Sequence, residues 1–241
     1  MQLLHMVTSS PARTPTITMF GNPDYFFQTT NGSLPLAPMS CGADPALCVV
    51  QSSGFAWNHG DVQQDITRTW FAMVGPGVRR QGRDDGVFSD HTDLRPTALA
   101  LLGLRDDYVS DGRVLAEKLE HQALPDSIAP RDGDEDNDFV ELARVYKQLN
   151  APLGELGKAS LALATRSIES TDTTYGWYLS QIAPLTAQRD ALAMEIKLAL
   201  DAAEFGHRSL PDFHSDVLIS RARALIDQVE DLAARSRQSS H

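Results

Sequence analysis

The sequence predicts an α/β fold in its first half, a sheet with flanking helices, followed by an α-helical hairpin or small bundle. Three observations predict it. Before about residue 120, short β-type runs alternate with turns marked by Gly and Pro. A Pro-led helical segment is set among them. After that point the chain turns to Ala, Leu, Glu and Arg at helical spacing and Gly becomes rare. Strands mixed with helices argue for layers packed on one another. The chain therefore divides into an α/β part over residues 1–120, an acidic linker over 121–137 and a helical region over 138–241.

Each element has its own reason. Residues 16–20 (TITMF) and 25–28 are short β-type runs on either side of the turn Asn22-Pro23-Asp24, and residues 69–74 (TWFAMV) form a stronger strand closed by Gly75-Pro76-Gly77. The tetrapeptide Asp93-Leu94-Arg95-Pro96 leads into TALALLGL. There Pro96 suits the first turn of a helix and Gly103 its end. A helical stretch over 139–169 carries breaks at Pro152 and Gly154. Ile182, Leu185, Leu192, Ile196 and Ala199 make a stripe on a second helix. Leu218, Ala222, Leu225, Val229 and Leu232 fall four and three residues apart, which predicts a third helix over 216–235. Stripes that must be covered predict that these helices pack on each other or on a partner.

The chain has 241 residues, 42% of them hydrophobic, enough for a buried core, and a net charge of -11. That charge opposes a nucleic-acid backbone or an anionic membrane, because like charges would be brought together. No apolar run is long enough to cross a bilayer. The start, MQLLHMVTSSPARTP, lacks the basic lead and long apolar stretch of a signal peptide, so the sequence carries no export address and leaves localisation unknown. Cys41 and Cys48 are close enough to be bridged and equally able to remain thiols.

Among residues that can carry chemistry, Phe55-Ala56-Trp57-Asn58-His59-Gly60-Asp61 is the sharpest segment. A histidine beside a glycine, in a loop before a strand, can present its imidazole to a metal; a lone histidine can also be a surface or hydrogen-bonded residue. Ser89-Asp90-His91-Thr92-Asp93 places a carboxylate on either side of a histidine, but it precedes a Pro-led helix and reads as a cap. Asp106-Asp107-Tyr108 and Asp111-Gly112-Arg113 form a polar loop with no assigned role. The acidic run over 132–138 fails as a calcium loop, because its sixth and twelfth positions are Asn137 and Ala143 rather than Gly and Glu. It reads instead as a linker whose last Asp caps a helix. His207 and His214 flank Ser209-Leu210-Pro211-Asp212 and read as turn residues.

The succession WNHGD, TWFAMVGPGV, FSDHTDLRPTALALLGL and DDYVSDGRVL resembles the closing segment of nucleotide pyrophosphatase and phosphodiesterase-like members of the alkaline phosphatase superfamily. The resemblance covers somewhat under half the chain and implies a partial alkaline-phosphatase-like sheet. It implies that His59 is the last histidine ligand of a site for two zinc ions or similar divalent metals, acting on a phosphoester substrate. No Asp-His-Gly ligand motif precedes His59, so the resemblance implies an incomplete site: a metal-dependent phosphoester hydrolase, truncated and inactive alone, whose zinc belongs to a complete parent. The other function the sequence supports is a non-catalytic interaction module that uses its helical stripes for self-association or for a partner.

Overall fold

The computed structural model describes residues 5–21, 62–105, 107–129, 137–169 and 171–238. They fall into two compact units, Pro15–Ala72 and the remainder, Met1–Thr14 with Met73–His241.

Among its described residues the smaller unit holds one short helix, α1 (Gln64–Thr67), with the Thr67 hydroxyl donating to the Gln63 carbonyl at 2.8 Å. The larger unit holds α2 (Leu94–Leu101), α3 (Asp138–Asn150), α4 (Glu155–Ile168), α5 (Asp172–Glu204) and α6 (Asp212–Gln238). Helices α3 to α6 all pack on one another, with short connections between consecutive members. The stripe predicted for the last helix is its buried face: Leu218, Ala222 and Val229 are fully buried. They meet Val140, Leu142, Ala143 and Leu149 of α3 and Ile196 and Leu200 of α5 in one core. At about 1.5–3 kcal/mol for each large aliphatic side chain removed from water, this layer is the main stabilising term. Pro152 and Gly154 lie in the predicted break between α3 and α4. Pro96 sits in the first turn of α2, and Gly103 follows its end at φ +62, as those residue types suggest.

The sheet is where the expectation fails. Among the described residues there are only helices and loops, and the α/β architecture with a partial alkaline-phosphatase-like sheet is overturned. The nearest thing to pairing is an isolated antiparallel bridge between Val78 and Leu119. The runs over 16–20 and 69–74 form no strand; the run over 25–28 lies outside the described residues. In TWFAMV, Trp70 is 87% and Val74 97% exposed. High β-propensity expresses how well a side chain fits a neighbouring strand and a covered face, and here the described residues offer neither.

Apart from α2, the described residues of 73–129 instead fold as loop and short turns onto the helices. Val114, Ala116, Leu119 and Ile128 are fully buried in the same core as α3, α5 and α6, so the change of composition near residue 120 falls inside one packed unit. Gly77, at φ +81, closes the turn before the bridge. A Cβ there would stand 2.7 Å from the Cβ of Ala123, so both its conformation and its neighbour require glycine.

Candidate functional site

Asp90 begins the site. Its carboxylate accepts from the Thr92 backbone N–H at 2.9 Å, while the Asp93 carboxylate accepts from the Asp90 N–H at 3.0 Å, a reciprocal capping box ahead of α2. The structural reading of Ser89-Asp90-His91-Thr92-Asp93 is thus the one the geometry adopts, with His91 exposed. Asp93 does more than cap. Fully buried, it also accepts from the Arg113 N–H at 3.0 Å, and Thr97 accepts from the Leu115 N–H at 3.0 Å. These bonds hold the loop over 111–115 against the start of α2. Contact is so close that a Cβ on Gly112 would meet the Thr92 carbonyl oxygen at 2.0 Å.

Lys147 of α3 closes this corner from the bundle side. Its ammonium lies 2.9 Å from Asp90, 3.1 Å from Asp93 and donates to the Thr92 hydroxyl at 2.9 Å. Burial opposes ionisation of Asp90, but the Lys147 charge and the hydrogen bonds outweigh it and hold the carboxyl below its ordinary range. Next along the loop, Arg113 and Glu117 form a fully buried pair with two parallel bonds of 2.9 and 2.7 Å. Arg144 of α3 approaches the same carboxylate at 3.5 Å. Despite burial, the Arg113 hydrogen bonds and charge keep Glu117 below the usual carboxylate range.

Three residues of α5 complete the network. Lys197 donates to the Gly112 carbonyl at 2.7 Å and pairs with Asp201 at 2.8 Å. Glu204 accepts from the Val114 N–H at 2.8 Å through Oε1; its Oε2 is buried, has no hydrogen-bond partner and lies 3.7 Å from the Lys197 ammonium. Burial pushes the Glu204 carboxyl up to about 7, because Lys197 is committed to Asp201 and offsets only part of the desolvation. Farther along, Arg189 donates to the Asn150 side chain at 2.8 Å, and His5 hydrogen-bonds the Asn150 carbonyl at 2.8 Å, which fastens the N-terminal segment. The other ring nitrogen of His5 faces Asp111 at 3.7 Å, and this contact lowers the Asp111 carboxyl.

Beside Lys197 and Asp201 lies a cleft of about 150 Å³, rimmed by Arg95, Arg105, Tyr108 and Ser110. The Arg95 guanidinium stacks over the Tyr108 ring at 4.8 Å. Lys197 and Asp201 on the cleft wall are bound to each other, and Lys197 also to the Gly112 carbonyl, an arrangement that fixes the loop. Among the described residues no group of three His, Cys, Asp or Glu side chains could hold a metal. The predicted zinc ligand His59 lies outside the described residues, as do Cys41, Cys48, Asp106 and most of the acidic run. Of that run, it is Asn137 and not the last Asp that caps α3, accepting from the Val140 N–H, while Asp138 is the helix's first residue. His207 occupies a turn at φ +52, and His214 the exposed first turn of α6.

A second feature lies on the outward side of α5. Ser180, Ala183, Ala187, Ala191, Met194 and Leu198 recur at three and four residues and are all exposed, with Met194 at 57% and Leu198 at 60%. They form one uncharged stripe opposite the buried stripe of Tyr178, Leu192, Ile196 and Leu200. Trp177 and Leu179 flank it, about half exposed. No helix among the described residues is long and apolar enough to cross a membrane.

Comparison of the chain with family models, with curated proteins and with solved structures returns no match.

Proposed function

We propose that the chain is a non-catalytic helical interaction protein and that the outward face of α5 is its binding surface. One observation carries the reading: α5 is apolar on two opposite sides, and the bundle covers only one of them. A helix that is polar toward water needs no second neighbour; one with apolar stripes on both sides belongs at the middle of a larger assembly. The ion network beneath supports the same reading, since its charges are spent on holding loop backbone.

The competing reading, raised by the resemblance of WNHGD and the segments after it, is a metal-dependent phosphoester hydrolase in which His59 holds zinc. One set of measurements separates them. The purified chain and His59→Ala are assayed on a generic phosphodiester with added zinc, and Met194→Glu with Leu198→Glu is compared with the parent chain for binding of an apolar fluorescent dye at low protein concentration. The interaction reading expects no zinc-dependent turnover in either chain, and dye binding reduced in the double variant at unchanged far-UV circular dichroism. Turnover abolished by His59→Ala would overturn it, as would dye binding indifferent to the two glutamates.

A further inference from the structure

We infer that the occupant of the outward α5 face is the same face of a second copy of this chain, packed antiparallel about a two-fold axis at Ala187. The inference rests on the interaction reading above and names its partner.

The argument lies in the order of side-chain sizes along the stripe. The N-terminal half is small, with Gly176, Ser180 and Ala183; the C-terminal half is large, with Met194 and Leu198. Residues equally far on either side of Ala187 meet across an antiparallel two-fold contact, so Met194 faces Ser180, Leu198 faces Gly176, and Ala191 faces Ala183. Within the stripe every large side chain meets a small one, the alternation that lets two helices interdigitate without voids. A parallel pairing would set Met194 on Met194 and Leu198 on Leu198, holding the helices apart where Ala183, Ala187 and Ala191 need close approach. The face therefore complements itself in one orientation.

Charge and area agree. At net charge -11 two copies repel one another, but the stripe carries no ionisable residue. Asp190 at its edge is paired with Arg189 of its own helix at 3.0 Å and would face Pro184 rather than another carboxylate. Antiparallel helices also oppose their macrodipoles favourably. The half-exposed Trp177, Leu179, Met194 and Leu198, with the three alanines, present on the order of 600 Å² per copy, which puts the pair at the lower limit of stable interfaces, about 1,200 Å² in total. A two-fold contact closes on itself and predicts a dimer rather than a filament.

The test uses the full chain. Sedimentation equilibrium is expected to give twice the chain mass, dissociating on dilution, and Met194→Glu with Leu198→Glu is expected to weaken the dimer at least ~100-fold with its helicity unchanged. Orientation is read by cysteine cross-linking in a background with Cys41→Ser and Cys48→Ser. Ala187→Cys is expected to form a disulfide with its own copy, and Met194→Cys to do so with Ser180→Cys in a mixture but not with itself. A chain monomeric at every concentration overturns the second copy while leaving the α5 face, if it still binds dye, as the site for another partner. A dimer in which Met194→Cys links to itself overturns the antiparallel arrangement. Zinc-dependent turnover lost in His59→Ala overturns the reading beneath it.

Discussion

The loop that follows α2, over 111–129, and the helices α3 to α6 share one core but are held in it by different chemistry. Each helix satisfies its own backbone, so an apolar stripe is enough to bind it: the buried face of α6 over 218–229 contains no charge. The loop brings N–H groups into the core with no ladder to receive them. Side-chain oxygens receive them instead: Asp93 for Arg113, Thr97 for Leu115 and Glu204 for Val114. Burying those carboxylates requires cations in turn, and Lys147 and Lys197 supply them from α3 and α5. Buried charge in this protein follows from buried loop backbone.

The largest test of that contrast is Arg113→Ala. It leaves Glu117 buried without its bidentate partner and should cost about 3–5 kcal/mol in urea denaturation. Arg113→Met with Glu117→Met should recover much of the loss, because no lone charge remains; equal instability of single and double variants would mean that the pair itself, rather than an orphaned ion, stabilises the loop. On the helical side, Leu218→Ala removes a fully buried side chain from the apolar layer and should cost about 3 kcal/mol, through lost transfer energy and the cavity left behind. A loss under about 1 kcal/mol would show that α6 adjusts into the gap and that its packing is looser than its burial suggests.

Glu204 gives the contrast a pH signature. Its folded value of about 7 stands above the ordinary 4.5, so the folded state binds the extra proton between them. Stability from this group is therefore full below about pH 4.5 and falls as pH rises toward 7, by at most ~3 kcal/mol at about 1.4 kcal/mol per pH unit. Asp90, Asp111 and Glu117 are lowered and act in the opposite sense, contributing above the ordinary carboxylate range and losing that contribution as the medium turns acid. Denaturation midpoints measured from pH 4.5 to 8 should decline in the parent chain and flatten in Glu204→Gln. An unchanged decline in the variant would assign the slope to other groups.

The same division decides what could be read from the sequence. Helical stripes, the break at Pro152 and Gly154, Pro96 and Gly103 around α2, and the capping role of Asp90 and Asp93 depend on neighbours a few residues away, and all are where the pattern places them. A strand depends on a distant partner, which TWFAMV does not reveal. The polar core was missed for a similar reason, since Lys147 and Arg113 are ordinary charged residues until the loop is seen beside them. One signal was present in α5. Arg189, Lys197 and Glu204 continue the spacing of Ala193 and Leu200 on the buried face, where an amphipathic helix would be expected to carry apolar residues. Charges interrupting an apolar stripe announce buried partners. The expectation that His59 binds zinc rests on resemblance alone, and that residue lies outside the described residues.

The smallest effects belong to two helix caps that differ in whether they touch the loop. Thr171 caps α5 by accepting from the Thr174 N–H at 3.2 Å, in an exposed setting. Asn137 caps α3 by accepting from the Val140 N–H at 2.9 Å, and its amide also donates to the carbonyl of the buried Ile128 at 3.2 Å. Thr171→Ala should cost about 0.5–1 kcal/mol and Asn137→Ala about 1–2 kcal/mol, because the second also leaves a loop carbonyl without its donor. Asn137→Ser keeps the cap and removes only the link to Ile128, so its midpoint in urea should fall between those of the parent and Asn137→Ala. If Asn137→Ser matches the parent, the loop gains nothing from that link and its hold on the core rests on the buried ions. If it matches Asn137→Ala, the neutral bond between loop and helix outweighs the cap, and charge is only one of two ways in which α3 anchors the loop.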